Sequence, residues 1–202
     1  MGYHDVIGEE AEKMLEYVET GTTHSAADTM EVPATAYTDP AYFAREKAEI
    51  FMKLPLLAAL TAEMPNPGDY KAMELLGKPV LITRKSDGTV AAMLNVCTHR
   101  GMILKPEGHG NAKRFSCPYH AWTYSNDGKL IGVAEPQKFG PICKEERNLT
   151  ALPVAEAGGI IWICLTPGLE FDIAAHLGDM LDDLNAYGLG DWHYCGSRRI
   201  YG

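Results

Sequence analysis

Apolar residues recur at the three- and four-residue spacing of a helix face between Glu9 and Glu19. These residues are Ala11, Met14, Leu15 and Val18. The pattern predicts an amphipathic helix, and the polar stretch "GTTHSAAD" after it reads as a linker.

A second helix is predicted in "TDPAYFAREKAEIF". Asp39 can accept hydrogen bonds from the free amides of the first turn, and Pro40 enters the helix with its φ angle already set. Phe43, Ile50 and Leu54 are expected to share the buried side of this helix.

After residue 66 the pattern changes to short runs rich in β-branched and aromatic residues, separated by turns such as "KSDG" and "SNDG". The predicted strands are Tyr70–Leu75, Pro79–Arg84, Thr89–Val96, Arg114–Ser116, Trp122–Tyr124, Lys129–Val133 and Gly159–Leu165. This alternation predicts a mainly β fold, a small antiparallel sandwich or barrel.

Helical spacing returns between Phe171 and Tyr187, and "HYCGSRRIY" then resembles one new strand with no partner left in the chain. We therefore divide the sequence into an N-terminal helix and linker (1–38), a helical lead-in (39–66), the β domain (67–170), and a final helix and strand (171–202).

Charge and length restrict the function. A chain of 202 residues can bury a core without a staple, and its net charge of -9 would repel nucleic acid and anionic lipid. The longest apolar run, Ile160 to Leu165, is too short to cross a bilayer. The acidic N-terminus and the odd number of cysteines predict a cytoplasmic protein with reduced thiols.

The candidate chemistry lies in "NVCTHRGMILKPEGHGNAKRFSCPYHAW". Cys97, His99, Cys117 and His120 form the pattern C-x-H-x17-C-x2-H at the tips of two loops. Such donors could hold one tetrahedral zinc, or could divide between two irons with thiolates on one and imidazoles on the other. Structural zinc sites usually pair two cysteines in one knuckle, whereas here each loop supplies one cysteine and one histidine. The spacing favours the two-iron centre, and a zinc-stabilised binding module is the less favoured alternative.

At these residues the sequence resembles the Rieske iron–sulfur proteins. "CTHRG" and "CPYHAW" are similar to the ring-hydroxylating oxygenase branch, whose second loop reads C-P-Y-H-G-W; Ala121 stands in place of the glycine. The extra cysteines of respiratory Rieske proteins are replaced by Met102 and Tyr119, so no disulfide can join the loops. The likeness covers Asp39 to Gly202.

The resemblance implies an antiparallel Rieske-type β-sandwich or barrel with N-terminal helices and a C-terminal helix, and a [2Fe-2S] cluster held by Cys97, His99, Cys117 and His120. Tyr119 lies beside these ligands, Arg100 can pair with an acid or a partner surface, Gly101 permits an unusual backbone conformation, and Pro118 stiffens the second loop. Trp122 is expected to pack over the loops. It occupies the place of a hydroxyl donor to sulfide, which predicts a potential on the order of -150 mV.

The implied function is electron relay in an oxygenase. A reductase or ferredoxin supplies electrons, which leave through His99 or His120 to a mononuclear Fe(II) in the catalytic domain of the same or a neighbouring subunit, in a homotrimer. The chain is expected to end before that domain, to contain no catalytic residue, and not to hydroxylate alone. The remaining histidines, His4, His24, His109, His176 and His193, are expected at the surface. The alternative is a free-standing Rieske ferredoxin, and the substrate stays open.

Overall fold

The computed structural model describes residues 3–198 and 200, and divides into two compact units, Met1–Phe43 and Ala44–Gly202. The helices are α1 (Tyr3–Thr20), α2 (Thr35–Thr38), α3 (Pro40–Glu46), α4 (Ile173–Leu177) and α5 (Met180–Tyr187). The strands are β1 (Leu56–Leu60), β2 (Asp69–Leu75), β3 (Lys78–Arg84), β4 (Val90–Leu94), β5 (Gly108–Asn111), β6 (Arg114–Ser116), β7 (Thr123–Ser125), β8 (Leu130–Gly132), β9 (Ala151–Leu152), β10 (Val154–Ala157) and β11 (Ile160–Ile163).

The strands form three antiparallel sheets. The first has the order β1-β11-β10, the second β5-β2-β3-β4-β9, and the third β6-β7-β8. The predicted mainly antiparallel β fold is confirmed. β1, β5, β9 and β10 were not predicted from the sequence.

The five-stranded sheet is the middle layer, because β3 is buried on both faces. Val80 and Ile82 pack into a core shared with the first sheet, whereas Leu81 packs into a core shared with the third sheet. Alternate side chains of a strand point to opposite faces, so one apolar run supplies both cores. Cys97 and Cys117 belong to the core beside the third sheet.

The N-terminal side of α3 matches the prediction: Asp39 Oδ1 accepts a hydrogen bond from Ala41 N at 2.8 Å. The predicted burial of this helix is wrong, since Phe43, Ile50 and Leu54 are 52%, 44% and 42% exposed. The helix continues as a π-helical turn, Lys47–Phe51, and Met52 packs against the core instead.

The predicted C-terminal helix is two short helices. Gly178, at φ +53°, follows α4 and ends it before α5 begins. The strand predicted at "HYCGSRRIY" is wrong for residues 193–198 and 200, which have no strand pairing; the rest of that stretch lies outside the described residues. An unpaired strand leaves its backbone groups without partners. Among the described residues, none of the helices combines the length and the apolar character of a membrane-spanning segment.

Candidate metal centre

Two loops of matching backbone structure carry the four predicted donors. The first follows β4 and the second joins β6 to β7. In each loop the cysteine donates its N–H to the carbonyl five residues later and accepts from the N–H four residues later. The bonds are Cys97 N to Met102 O (2.8 Å) and Gly101 N to Cys97 O (2.9 Å), and Cys117 N to Trp122 O (2.8 Å) and Ala121 N to Cys117 O (3.0 Å).

The same position of each loop adopts a left-handed backbone. Gly101 has φ +76°, and Ala121 has φ +52°. Glycine reaches this region freely, whereas a residue with a Cβ is strained there. The second loop therefore stores conformational strain beside its histidine.

The structure pairs the four predicted donors by type, sulfur with sulfur and nitrogen with nitrogen. The Cys97 and Cys117 side chains adjoin, are only 1% and 4% exposed, and are free thiols. The His99 and His120 rings lie 4.7 Å apart between centroids. Over residues 3–198 and 200, no group of three or more His, Cys, Asp or Glu is gathered to hold one ion. This division fits two metals better than one tetrahedral zinc.

Unpaired buried atoms test whether a metal group fits. His120 Nδ1 and Trp122 Nε1 are the buried side-chain nitrogen and oxygen atoms without a hydrogen-bond partner in the described structure. Buried polar atoms nearly always have a partner. An unpaired imidazole nitrogen, in the same loop as the buried Cys117 thiol, has the character of a metal ligand, so the donor set fits a [2Fe-2S] cluster.

Tyr124 is a site residue that the sequence did not reveal. Its hydroxyl oxygen lies 3.2 Å from Cys97 Sγ, 3.0 Å from Thr98 Oγ1, and accepts from Thr98 N at 3.2 Å. Burial, with the contact to Cys97, raises the pKa of Tyr124 to about 12, so the phenol keeps its proton. Burial likewise raises the pKa of the Cys97 thiol. The available signal was strand alternation, which places Tyr124 on the inward face two residues after Trp122.

Asn95 is a second residue that the sequence did not reveal, and it fixes the base of the first loop. It is 3% exposed. Its Nδ2 donates to Lys105 O at 2.7 Å, and its Oδ1 accepts from Lys105 N at 3.1 Å. One side-chain amide thus joins the two ends of the loop.

Aromatic side chains enclose the histidines. Trp122, 3% exposed, stacks on His99 with centroids 4.8 Å apart, and Phe139 meets His99 at 89° and 5.1 Å. The Tyr119 and His120 ring centroids lie 3.7 Å apart. The Tyr119 hydroxyl accepts a hydrogen bond from Arg100 Nη1 at 3.3 Å. Phe139 was not singled out from the sequence.

Neighbouring residues affect the protonation of His99, and parts of both loops are exposed to solvent. Burial and then His120 and Arg100 lower the pKa of His99, which favours the neutral imidazole that a metal needs. Pro118 and Gly101 are exposed. Pro118 also lines a cleft of about 380 Å³ beside His120.

The histidines outside the motif lie elsewhere. His109 lies on β5, where its Nε2 is 2.8 Å from Glu63 Oε2, and the same oxygen accepts from Lys71 Nζ at 2.7 Å. His109 is exposed, as expected, and its ring contacts a carboxylate that also pairs with Lys71. The other four, His4, His24, His176 and His193, are exposed as well.

Sequence comparison places this geometry among known proteins. Residues 55–153 match the family model of the Rieske [2Fe-2S] domain. The large oxygenase component of salicylate 5-hydroxylase from Ralstonia sp. is 40% identical over 151 residues, which are 69% of this chain and 36% of that protein. The large subunit of anthranilate 1,2-dioxygenase from Acinetobacter baylyi is 33% identical, over 71% of this chain and 31% of that protein.

Solved structures agree. The quaternary ammonium Rieske monooxygenase CntA matches with TM-score 0.73 and 30% identity, over 80% of this chain and 45% of that one. Naphthalene 1,2-dioxygenase from Rhodococcus sp. matches with TM-score 0.71 and 32% identity, over 77% of this chain and 36% of that one. The chain spans about a third of the length of the curated relatives.

Proposed function

Because this chain belongs to the Rieske [2Fe-2S] domain family and its relatives are oxygenase large subunits, we propose that it relays single electrons. The donor is a reductase or ferredoxin, and the acceptor is a mononuclear iron that activates O2 in a catalytic domain. The observation that carries this proposal is the pairing of donors, with two buried thiols on one side and two imidazoles on the other.

The four donors and two neighbouring aromatic residues have different roles in this proposal. Cys97 and Cys117 would hold one iron in the apolar core, and His99 and His120 would hold the other. When bound, the cluster supplies one-electron redox chemistry, with reduction favoured at the imidazole-bound iron because imidazoles add no negative charge. Tyr124 orients Cys97, and Trp122 holds the plane of His99.

The histidine side is the exit for electrons, through His99 or His120. Both rings are less buried than the thiols, and a cleft opens beside His120. In our proposal a carboxylate of a neighbouring subunit, in a homotrimer, faces this side. We place the chain in the cytoplasm, which is supported by its five unpaired cysteines.

The relatives support an oxygenase component over a free-standing ferredoxin, because their matches extend over 69% and 80% of this chain. Two of them act on aromatic acids by name and another on quaternary ammonium compounds. Because two of the relatives are named for aromatic acids, we propose an aromatic-ring-hydroxylating component. The substrate stays open, and so does the choice among dioxygenation, monooxygenation and demethylation.

A redox cycle tests the proposed function. The chain is loaded anaerobically with iron and sulfide, reduced with dithionite, separated from it, and mixed with oxidised cytochrome c. We expect one electron taken up per chain and returned to the acceptor, because the [2Fe-2S] centre stores a single electron. Cys97→Ser should abolish uptake, whereas Cys143→Ser, at an exposed cysteine outside both loops, should retain it. Uptake that survives Cys97→Ser would overturn the proposal.

A further inference from the structure

Trp122 contains the one buried hydrogen-bond donor of the site that the proposed function leaves unexplained. Its side chain is 3% exposed, and Nε1 has no partner among the described residues. A buried N–H without an acceptor loses the hydrogen bond that it made to water in the unfolded chain. Such a donor calls for an explanation, and an acceptor on a group that the protein binds is one.

The position of Trp122 indicates which group that is. The indole stacks on His99 at 4.8 Å, and its backbone carbonyl closes the loop of Cys117. The other unpaired buried atom, His120 Nδ1, lies two residues away in the same loop. An imidazole nitrogen can ligate a metal, but an indole N–H is a donor only. It needs an acceptor, and sulfide is the acceptor that a [2Fe-2S] cluster brings.

We propose that Trp122 Nε1 donates a hydrogen bond to a sulfide of the bound cluster and so raises its reduction potential. The inference rests on the proposed function. Hydrogen bonds to sulfur favour the more negative, reduced state. The indole thus takes the place of the hydroxyl donor that the sequence lacks.

The direction in which the reduction potential changes when Trp122 is replaced distinguishes a hydrogen-bond donor from a side chain that only packs. The oxidised centre, with two thiolates and two neutral imidazoles, carries no net charge, and the reduced centre carries one negative charge. If Trp122 only excluded water, a smaller side chain would admit water, stabilise the charged reduced state and raise the potential. If Trp122 donates to sulfide, removal of its N–H lowers the potential.

Trp122→Phe tests the proposal, because phenylalanine keeps an aromatic ring against His99 and removes the N–H. We expect the ratio of reduced to oxidised chain at a fixed applied potential to fall about tenfold, which is 59 mV for one electron. Electron–nuclear double resonance of the reduced chain should also lose one exchangeable proton coupling. The same coupling should be present in the wild type and vanish in D2O.

Two variants serve as controls. Trp162→Phe removes an N–H that donates to Ala157 O at 3.1 Å, and should leave both readouts unchanged. Phe139→Leu removes a ring from the same aromatic wall without removing a donor, and should not lower the potential. An unchanged or raised potential in Trp122→Phe, or an unchanged proton coupling, would overturn the inference. A wild-type chain that binds no iron and sulfide would instead overturn the proposed function.

Discussion

At the scale of single residues, Ala121 stands out because it adopts φ +52° where the equivalent residue of the first loop is glycine. A non-glycine residue in the left-handed region costs on the order of 1 kcal/mol. Ala121→Gly should therefore raise the melting temperature of the loaded chain by about 2–4 °C. Differential scanning calorimetry checks this.

The matched control is Gly101→Ala in the first loop. Gly101 has φ +76°, and a Cβ there would meet nothing within 4 Å, so only the backbone penalty applies. This variant should melt lower by a similar amount. If Ala121→Gly also melts lower than the wild type, the strain assigned to Ala121 is wrong.

Tyr124 allows a second prediction at this scale. Tyr124→Phe removes the hydroxyl that lies 3.2 Å from Cys97 Sγ. A bound thiolate accepts this bond more strongly in the electron-rich reduced state, so the potential should fall by about 40 mV, equivalent to about 1 kcal/mol. Protein-film voltammetry measures the shift. The control is Tyr119→Phe, which removes a hydroxyl that accepts from Arg100, and its reduction potential should equal that of the wild type. Equal shifts in the two variants would contradict the role assigned to the Tyr124 hydroxyl.

The sequence predicts the four donors and some neighbours, such as Trp122, but it does not reveal Asn95 or Tyr124. Cys97 and His99 are recognisable because metal ligands are restricted in type and spacing. Asn95 and Tyr124 act through contacts across the fold, to Lys105 and to Cys97 respectively, and strand pairing decides those contacts. The local pattern around either residue does not differ from that of ordinary core positions.

At the scale of elements, one ion pair joins the end of β3 to β10. Arg84, 5% exposed, donates from Nη1 and Nη2 to the two carboxylate oxygens of Glu156 at 2.6 and 2.7 Å. The hydrogen bonds from Arg84 lower the pKa of Glu156 more than burial raises it, so the pKa lies below its usual value. The pair therefore connects the middle sheet to the first sheet through a charge-assisted contact.

The depressed pKa makes this contact depend on pH. A carboxylate with a lowered folded pKa contributes stability above its unfolded pKa of about 4.3, and loses it as pH falls through the folded value. Glu156→Gln should therefore lower the free energy of unfolding by about 2 kcal/mol near pH 7, and by less toward about pH 3. Urea unfolding of both chains measures the difference. Glu74→Gln, at an exposed position of β2, is the control, and a constant difference across pH would contradict the account.

The accuracy of the element predictions follows from side-chain chemistry. β3 and β6 begin and end within one residue of the predicted bounds because β-branched and aromatic runs favour strands. β5, "GHGN", was not predicted because its pairing with β2 does not depend on apolar side chains. The burial of Phe43 and Ile50 was wrong because a helical stripe shows which side is apolar, not whether anything covers it.

At the scale of the larger unit, the turn between β10 and β11 receives the C-terminal segment. A Cβ on Gly159, at φ +74°, would lie 2.5 Å from Gly190 N and 2.6 Å from Leu189 Cβ. Gly159→Ala should displace this segment, because backbone cannot yield as a flexible side chain does. We expect faster amide hydrogen exchange across residues 184–191, measured by mass spectrometry.

Gly168→Ala is the control for this variant. Gly168 has a similar φ, +75°, but its Cβ would meet nothing within 4 Å. Gly168→Ala should therefore lower stability only through its strained backbone, and amide hydrogen exchange at residues 184–191 should match the wild type. Equal exchange in the two variants would contradict the role of close packing at Gly159.

At the scale of the whole chain, an acidic composition accompanies the paired thiol and imidazole donors. Its net charge of -9 and its antiparallel sheets are compatible with many functions, and the four donors are the feature that supports the proposed electron relay. Fold and cofactor follow from the sequence because a few residue types at fixed spacing determine them. Substrate choice does not follow in this way, because relatives of 30–40% identity are named for aromatic acids and for quaternary ammonium compounds.

Pulsed electron paramagnetic resonance of the reduced, iron- and sulfide-loaded chain tests the central claim most directly. With ¹⁵N-labelled histidine, we predict couplings from two imidazole nitrogens, and loss of one coupling in either His99→Cys or His120→Cys, as expected for a [2Fe-2S] centre with imidazoles on one iron. A signal without nitrogen coupling, or one that both substitutions leave unchanged, would contradict it.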